Sequence, residues 1–225
     1  PEDWAAYPRA LMEALAQHAA RLRRTVPWCA ALSEEAYQQY VLCPRVNDED
    51  LSDHRALFHS LLWERVRGLD EEEAVQQVNC WCQEHASYQA QDGRTASPLT
   101  VFRCGSGRCG EESAFLVAAL RSVGLPARQV YAPRWSHCDD NHAWVEVLCH
   151  GRWRFLGACE PEPVLDRGWF NTAASRAMLV HSRTFGPAED TKLHGPALDR
   201  QGQAVRHNQT ARYAPVKTYT FRTQP

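Results

Sequence analysis

Three short stretches hold residue types that together can break and form acyl bonds. Cys109 stands in Gly107-Arg108-Cys109-Gly110-Glu111-Glu112-Ser113, ahead of the apolar run Ala114–Leu120. A thiolate, not a thiol, attacks a carbonyl. A cysteine that opens a helix meets the positive end of the helix dipole and backbone N–H groups without acceptors, so a lowered pKa is expected for Cys109. Gly107 and Gly110 allow a substrate backbone to come close. In Asn141-His142-Ala143-Trp144-Val145-Glu146-Val147, His142 heads a strand-like run, where an imidazole can take the thiol proton and return it to a leaving amine. After the next such run comes Cys159-Glu160-Pro161-Glu162, where a carboxylate can hold the imidazole tautomer, Glu160 before Glu162.

Neighbouring groups have plainer explanations. Asp139-Asp140-Asn141 is turn chemistry, and Glu111 and Glu112 suit the first turn of a helix. Trp144 and Trp153 read as core or cleft wall, and Glu146 as facing solvent or a polar partner. Cys80 and Cys82 are too close for a structural zinc pair, and no CxxC exists, so no metal is assigned.

The elements that must position these residues can be read from periodicity. Arg9–Leu22 has one apolar face, Ser33 can cap a helix through Tyr40, Asp53 can cap a helix ending at Gly68, and Asp70 can cap the next. Gln89–Pro98 reads as a loop and Gly105–Gly107 as a turn. A helix over Cys109–Val123 stops at Gly124 and Pro126. Strands follow over Ala127–Tyr131, Ala143–Leu148 and Trp153–Leu156, the last two joined at His150-Gly151. Trp169-Phe170 and Ala173–Val180 should pack back on the domain, residues 187–211 read as an excursion, and Ala211–Phe221 as a closing strand or a lead into another domain. The expected class is α+β: residues 1–100 a helical N-terminal part, 101–186 a catalytic core of one central helix on an antiparallel sheet, and 187–225 a C-terminal extension.

The stretch from Cys104 to Glu162 resembles the core of the transglutaminase-like superfamily, which includes transglutaminases, the peptide:N-glycanase group and bacterial thiol hydrolases. Arg108-Cys109-Gly110-Glu111 matches its cysteine turn, His142-Ala143-Trp144-Val145-Glu146-Val147 its histidine strand, and Gly124-Leu125-Pro126-Ala127-Arg128 its helix-to-strand turn. The family's acid lies four residues after the strand tryptophan, which here is Gly157, so Glu160 is expected to serve from a displaced position. The resemblance implies a Cys109-His142-Glu160 triad acting on protein or peptide carbonyls through a thioester, without a cofactor. It also implies an oxyanion hole from the Cys109 N–H and an upstream donor among Trp81, Gln83 and Asn79, Trp81 first, with Gly110 and Trp144 in the cleft. An amine is a conceivable second substrate. The alternatives are a non-catalytic module that keeps the fold, a metal-binding protein and a papain-like peptidase, which would normally show Asn as third residue.

The 225 residues carry a formal net charge of -2, with no basic stripe for nucleic acid, no polybasic cluster for a membrane and no apolar run that spans a bilayer. An odd count of nine cysteines in a chain that is not a small disulfide scaffold is expected to stay largely reduced, which leans toward a cytoplasm-like compartment. The chain begins at Pro1 without an initiator Met and reads as trimmed at both ends.

Overall fold

The computed structural model describes residues 2–90, 95–183, 185 and 206–214. The N-terminal helices are α1 (Glu2–Ala6), α2 (Arg9–Thr25), α3 (Pro27–Ala30), α4 (Glu34–Tyr37), α5 (Arg55–Val66) and α6 (Glu71–His85). A short parallel pair, β1 (Ser87–Tyr88) with β2 (Ser106–Gly107), brackets α7 (Pro98–Cys104). Then come α8 (Cys109–Ser122), β3 (Ala127–Ala132), β4 (His142–Cys149), β5 (Arg152–Leu156), α9 (Asn171–Ala174), β6 (His181–Arg183), β7 (Arg206–Asn208) and α10 (Thr210–Tyr213).

Most starts and stops follow from side-chain chemistry. Ser33 Oγ accepts from the Ala36 N–H, and Asp70 forms a capping box with Glu73. Residues Gln38–Leu42 leave the α pattern for a π-helical turn. The buried Arg55 guanidinium bonds the carbonyls of Val41, Leu42 and Cys43, and it also reaches Leu15 of α2. The N-cap of α5 is His54 rather than Asp53, with no side-chain cap. The expected loop at 89–98 ends in a helix start, because Ser97 Oγ accepts from the Thr100 N–H and Pro98 occupies the first turn of α7.

The main sheet has strand order β5-β4-β3-β6-β7, and every neighbouring pair is antiparallel. Alternation along β4 sends Ala143, Val145 and Val147 to one face and His142, Trp144 and Glu146 to the other. The first face packs on α8, whose residues from Glu111 to Ser122 are all buried, and on α5 and α6 behind it. On the second face, Val130, Ala132 and Trp144 meet Phe170, Ala174, Ala177, Val180 and Tyr213. The Trp169–Val180 stretch therefore does pack back on the domain. The fold is α+β, a central helix against an antiparallel sheet with a helical N-terminal half.

Glu146 has polar partners but lies fully inside, at 0% exposure. Its carboxylate meets the Arg128 guanidinium at 2.6 Å and that of Arg212 at 3.1 Å, and accepts from Tyr213 Oη at 2.6 Å. Trp153 covers this cluster with its ring 3.8 Å from the Arg128 guanidinium. Residues 210–213 are helical instead of starting a strand, because Asn208 Oδ1 accepts from the Thr210 N–H. Residues 215–221 of the expected strand, and 187–205 of the expected excursion, lie outside the described residues. No disulfide joins any of the nine cysteines, all of which lie among the described residues.

Candidate active site

Cys109 is the first residue of α8. Its turn is fixed by Glu111, whose Oε1 accepts from the Ala96 N–H at 2.7 Å and whose Oε2 accepts from the Arg108 N–H at 3.1 Å. Gly107 is required there, because a Cβ would come within 2.9 Å of the Glu111 Cβ. Gly110, next in the helix, has open space at its Cβ position, and its carbonyl accepts from Gln129 Nε2. Two cavities meet at Cys109. One, of about 380 Å³, runs past Gly110, Gln129 and Tyr131; the other, of about 500 Å³, contains Glu112, Asp140, His142, Glu160 and Trp169.

His142 opens β4 opposite Ala132 and is 7% exposed. Aromatic rings surround it, with centroids at 4.6 Å for Trp169, 5.0 Å for Phe170, 6.0 Å for Trp144 and 6.3 Å for Trp135. Its buried Nε2 has no hydrogen-bond partner among the described residues. Burial lowers its pKa to about 4, with Asp140 pulling weakly the other way.

Glu160 follows a tight turn in which Gly157 and Glu160 form an antiparallel bridge and Cys159 takes a φ of 58°. The turn folds the Glu160 side chain back over Gly157, so that a Cβ at 157 would lie 2.9 Å from Glu160 Oε2. The carboxylate thus occupies the space beside the position where the sequence pattern leads one to look for an acid. Asn79 holds the turn, donating to the Gly157 carbonyl and accepting from the Cys159 N–H, both at 2.9 Å. Glu160 is not bonded to His142. Its Oε2 accepts from Trp169 Nε1 at 2.9 Å, and the Trp169 ring stands against the imidazole. Glu162 is exposed and lines neither cavity.

The charge state of the pair differs from the sequence expectation. Burial pushes the Cys109 thiol above the ordinary range, outweighing the N–H groups of Ala143 and Gly110 that favour the thiolate; Glu112 adds to the rise. The helix start is present, but desolvation wins at this depth. With the imidazole pKa lowered as well, the resting pair is a neutral thiol and a neutral imidazole, and no hydrogen bond joins them. Iodoacetamide is therefore expected to modify the exposed Cys104 and Cys138 first, with Cys109 reaching half its maximal rate only above the ordinary thiol pKa of 9.0. Mass mapping across pH checks this, and half-maximal alkylation of Cys109 below pH 7 would contradict it.

The two tryptophans expected in the cleft lie elsewhere. Trp81 is 2% exposed and packs among Phe58, Phe102 and Phe115, lining neither cavity. The apolar face of α6 that carries it turns toward the core. Trp144 is fully buried behind His142, and its Nε1 donates to Tyr213 Oη at 3.1 Å. The residues that sequence reasoning set aside or did not place are Asp140, Trp169 and Glu112, which all line the larger cavity. For Glu112 a signal existed, since it lies three residues after Cys109 and shares its helix face. Its pKa is pushed up to about 8 by burial, then by Glu160 and Glu111.

Residues 64–158 match the family model of the transglutaminase-like superfamily. The chain carries a transglutaminase-like domain. No curated protein sequence matches it. Among solved structures it is similar to a protein from Cytophaga hutchinsonii provisionally named a cysteine protease, at 16% identity over 83% of this chain and 68% of that one, with a TM-score of 0.46. It is also similar to Legionella pneumophila LapG, at 13% identity over 76% of this chain and 84% of that one, with a TM-score of 0.41. A structure described as a TGase aligns at 16% identity over 63% of this chain and 37% of that one, with a TM-score of 0.36.

Proposed function

We propose that the chain is a cysteine-dependent acyl-transfer enzyme acting on protein or peptide carboxamide or peptide bonds, with Cys109 as nucleophile, His142 as base and Glu160 as the supporting carboxylate. The observation that carries this reading is the larger cavity itself, where a cysteine at a helix start, a histidine from β4 and a carboxylate turned back from the end of β5 line one space. The matched superfamily adds support.

In this reading the Cys109 sulfur attacks the carbonyl carbon as His142 removes the thiol proton, so no resting ion pair is needed. The Cys109 N–H, in a first turn that lacks intrahelical acceptors, holds the oxyanion. His142 then protonates the departing nitrogen and a thioester remains. Water gives an acid; a primary amine gives a new amide. Glu160 steadies the imidazole once Trp169 yields its place, and catalytic contacts commonly tighten only when substrate is bound.

The unbonded, uncharged Cys109-His142 pair specifically favours a second reading, a binding module that keeps the fold without turnover. Incubation with glutamine-containing peptides, with and without a primary amine, separates the two. Ammonia release, amine incorporation or peptide cleavage that disappears in Cys109→Ala supports the enzyme. Peptide retention without any product in the wild type supports the module.

A further inference from the structure

The proposed mechanism has one oxyanion donor on the backbone, and none of the three upstream candidates, Trp81, Gln83 and Asn79, lines either cavity. We propose that Glu112 supplies the second donor, as a carboxylic acid that donates its O–H to the carbonyl oxygen of the bound acyl group. This inference rests on the acyl-transfer reading above.

Glu112 is 5% exposed and lines the larger cavity together with Cys109 and His142. Its spacing of three residues from Cys109 puts both side chains on one face of α8, with Cβ atoms about 5–6 Å apart. Among the described residues its carboxyl group has no hydrogen-bond partner, unlike Glu111 beside it, both of whose oxygens are engaged. The side chain is buried, yet its oxygens are not among the sealed unpartnered atoms, so they face the cavity, where a ligand can meet them.

The groups around it decide which form it takes. Cys109 and Glu111 lie on its own helix, Glu160 on the turn after β5, Asp140 and His142 at the start of β4, Tyr88 on β1 and Arg108 at the rim. The carboxylates Glu160 and Glu111 oppose a charge at Glu112, and His142 is neutral near pH 7. The proton therefore stays on Glu112 up to a pH of about 8. A neutral carboxyl is a hydrogen-bond donor, and it strengthens as charge develops on the carbonyl oxygen. No proton need leave it. The O–H donates to the oxygen in the tetrahedral state and relaxes when the carbonyl re-forms.

The test compares wild type, Glu112→Ala and Glu112→Gln in two reactions of the same sulfur across pH 6–10. Acylation by p-nitrophenyl acetate passes through an oxyanion; alkylation by iodoacetamide does not. Their rate ratio, compared between variants at the same pH, cancels the dependence on the thiol proton that the variants share. The ratio is expected to fall by about 10²–10³-fold in Glu112→Ala. In the wild type it should decline as pH rises through about 8. In Glu112→Gln, which keeps an N–H donor that does not titrate, the ratio should stay within about tenfold of wild type and lose that decline. Equal ratios in wild type and Glu112→Ala would overturn the assignment, as would equal losses in both reactions, which mark a structural role. If wild-type Cys109 alkylates but never acylates, the acyl-transfer reading fails first and the inference falls with it.

Discussion

Replacing Cys109 with alanine is expected to lower turnover by more than about four orders of magnitude, while thermal unfolding stays close to wild type. The sulfur forms the acyl bond of the thioester through which every product must pass, so no neighbour can substitute for it. The thiol lies where two cavities meet rather than inside a packed cluster, so its loss leaves little new void. His142→Gln should cost about 10²–10⁴-fold, and the double variant little more than Cys109→Ala alone, because the two residues act as one unit. Glutamine is preferable to alanine at 142, since the imidazole is packed among four aromatic rings and its removal would open the cage. Steady-state rates with any peptide substrate found active, alongside melting curves, check both expectations. An alanine variant at 109 that retained a tenth of wild-type turnover would rule the cysteine out as nucleophile.

Glu146→Ala is expected to destabilise the fold by about 3–5 kcal/mol, and to lower the melting temperature by about 6–20 °C. The carboxylate is wholly buried and answers two guanidinium groups and a tyrosine hydroxyl. Removing it leaves Arg128, itself 8% exposed at its side chain, as an uncompensated buried charge. Because Tyr213 also receives the Trp144 Nε1–H, and the Trp144 ring backs His142, the variant should lose activity as well as stability. Arg128→Met combined with Glu146→Leu should recover part of the stability, since apolar replacements of similar volume can match a buried pair. Urea unfolding of the single and double variants measures this, and a loss below about 1 kcal/mol in Glu146→Ala would mean the cluster contributes as little as a surface pair.

The central helix and the three strands beside it were legible because each carries its own local signal. The apolar run after Cys109 is closed by Gly124, whose φ of 84° suits glycine, and the hairpin at His150-Gly151 takes positive φ at both residues, as its sequence suggests. Helix α7 was missed because it has only seven residues and its start signal, Ser97 with Pro98, falls at the end of a polar loop. Strand β7 has three residues and is specified by pairing with β6 rather than by its own composition. The candidate site divides in the same way. Cys109 and His142 sit at element ends marked by sequence, whereas the return of Glu160 over Gly157 depends on a turn held by Asn79, 78 residues upstream of Gly157. The raised thiol pKa was illegible for a related reason. A dipole follows from chain order, but desolvation follows from what else packs against the sulfur.

Brief exposure to p-nitrophenyl acetate, acid quench and mass mapping of all nine cysteines tests the central claim most directly. The expected result is one hydroxylamine-sensitive acetyl group on Cys109 in the wild type, formed much more slowly in His142→Gln and absent from Cys109→Ala. Acetylation confined to the exposed Cys104 and Cys138, with Cys109 untouched, would contradict Cys109 as an acyl-accepting nucleophile.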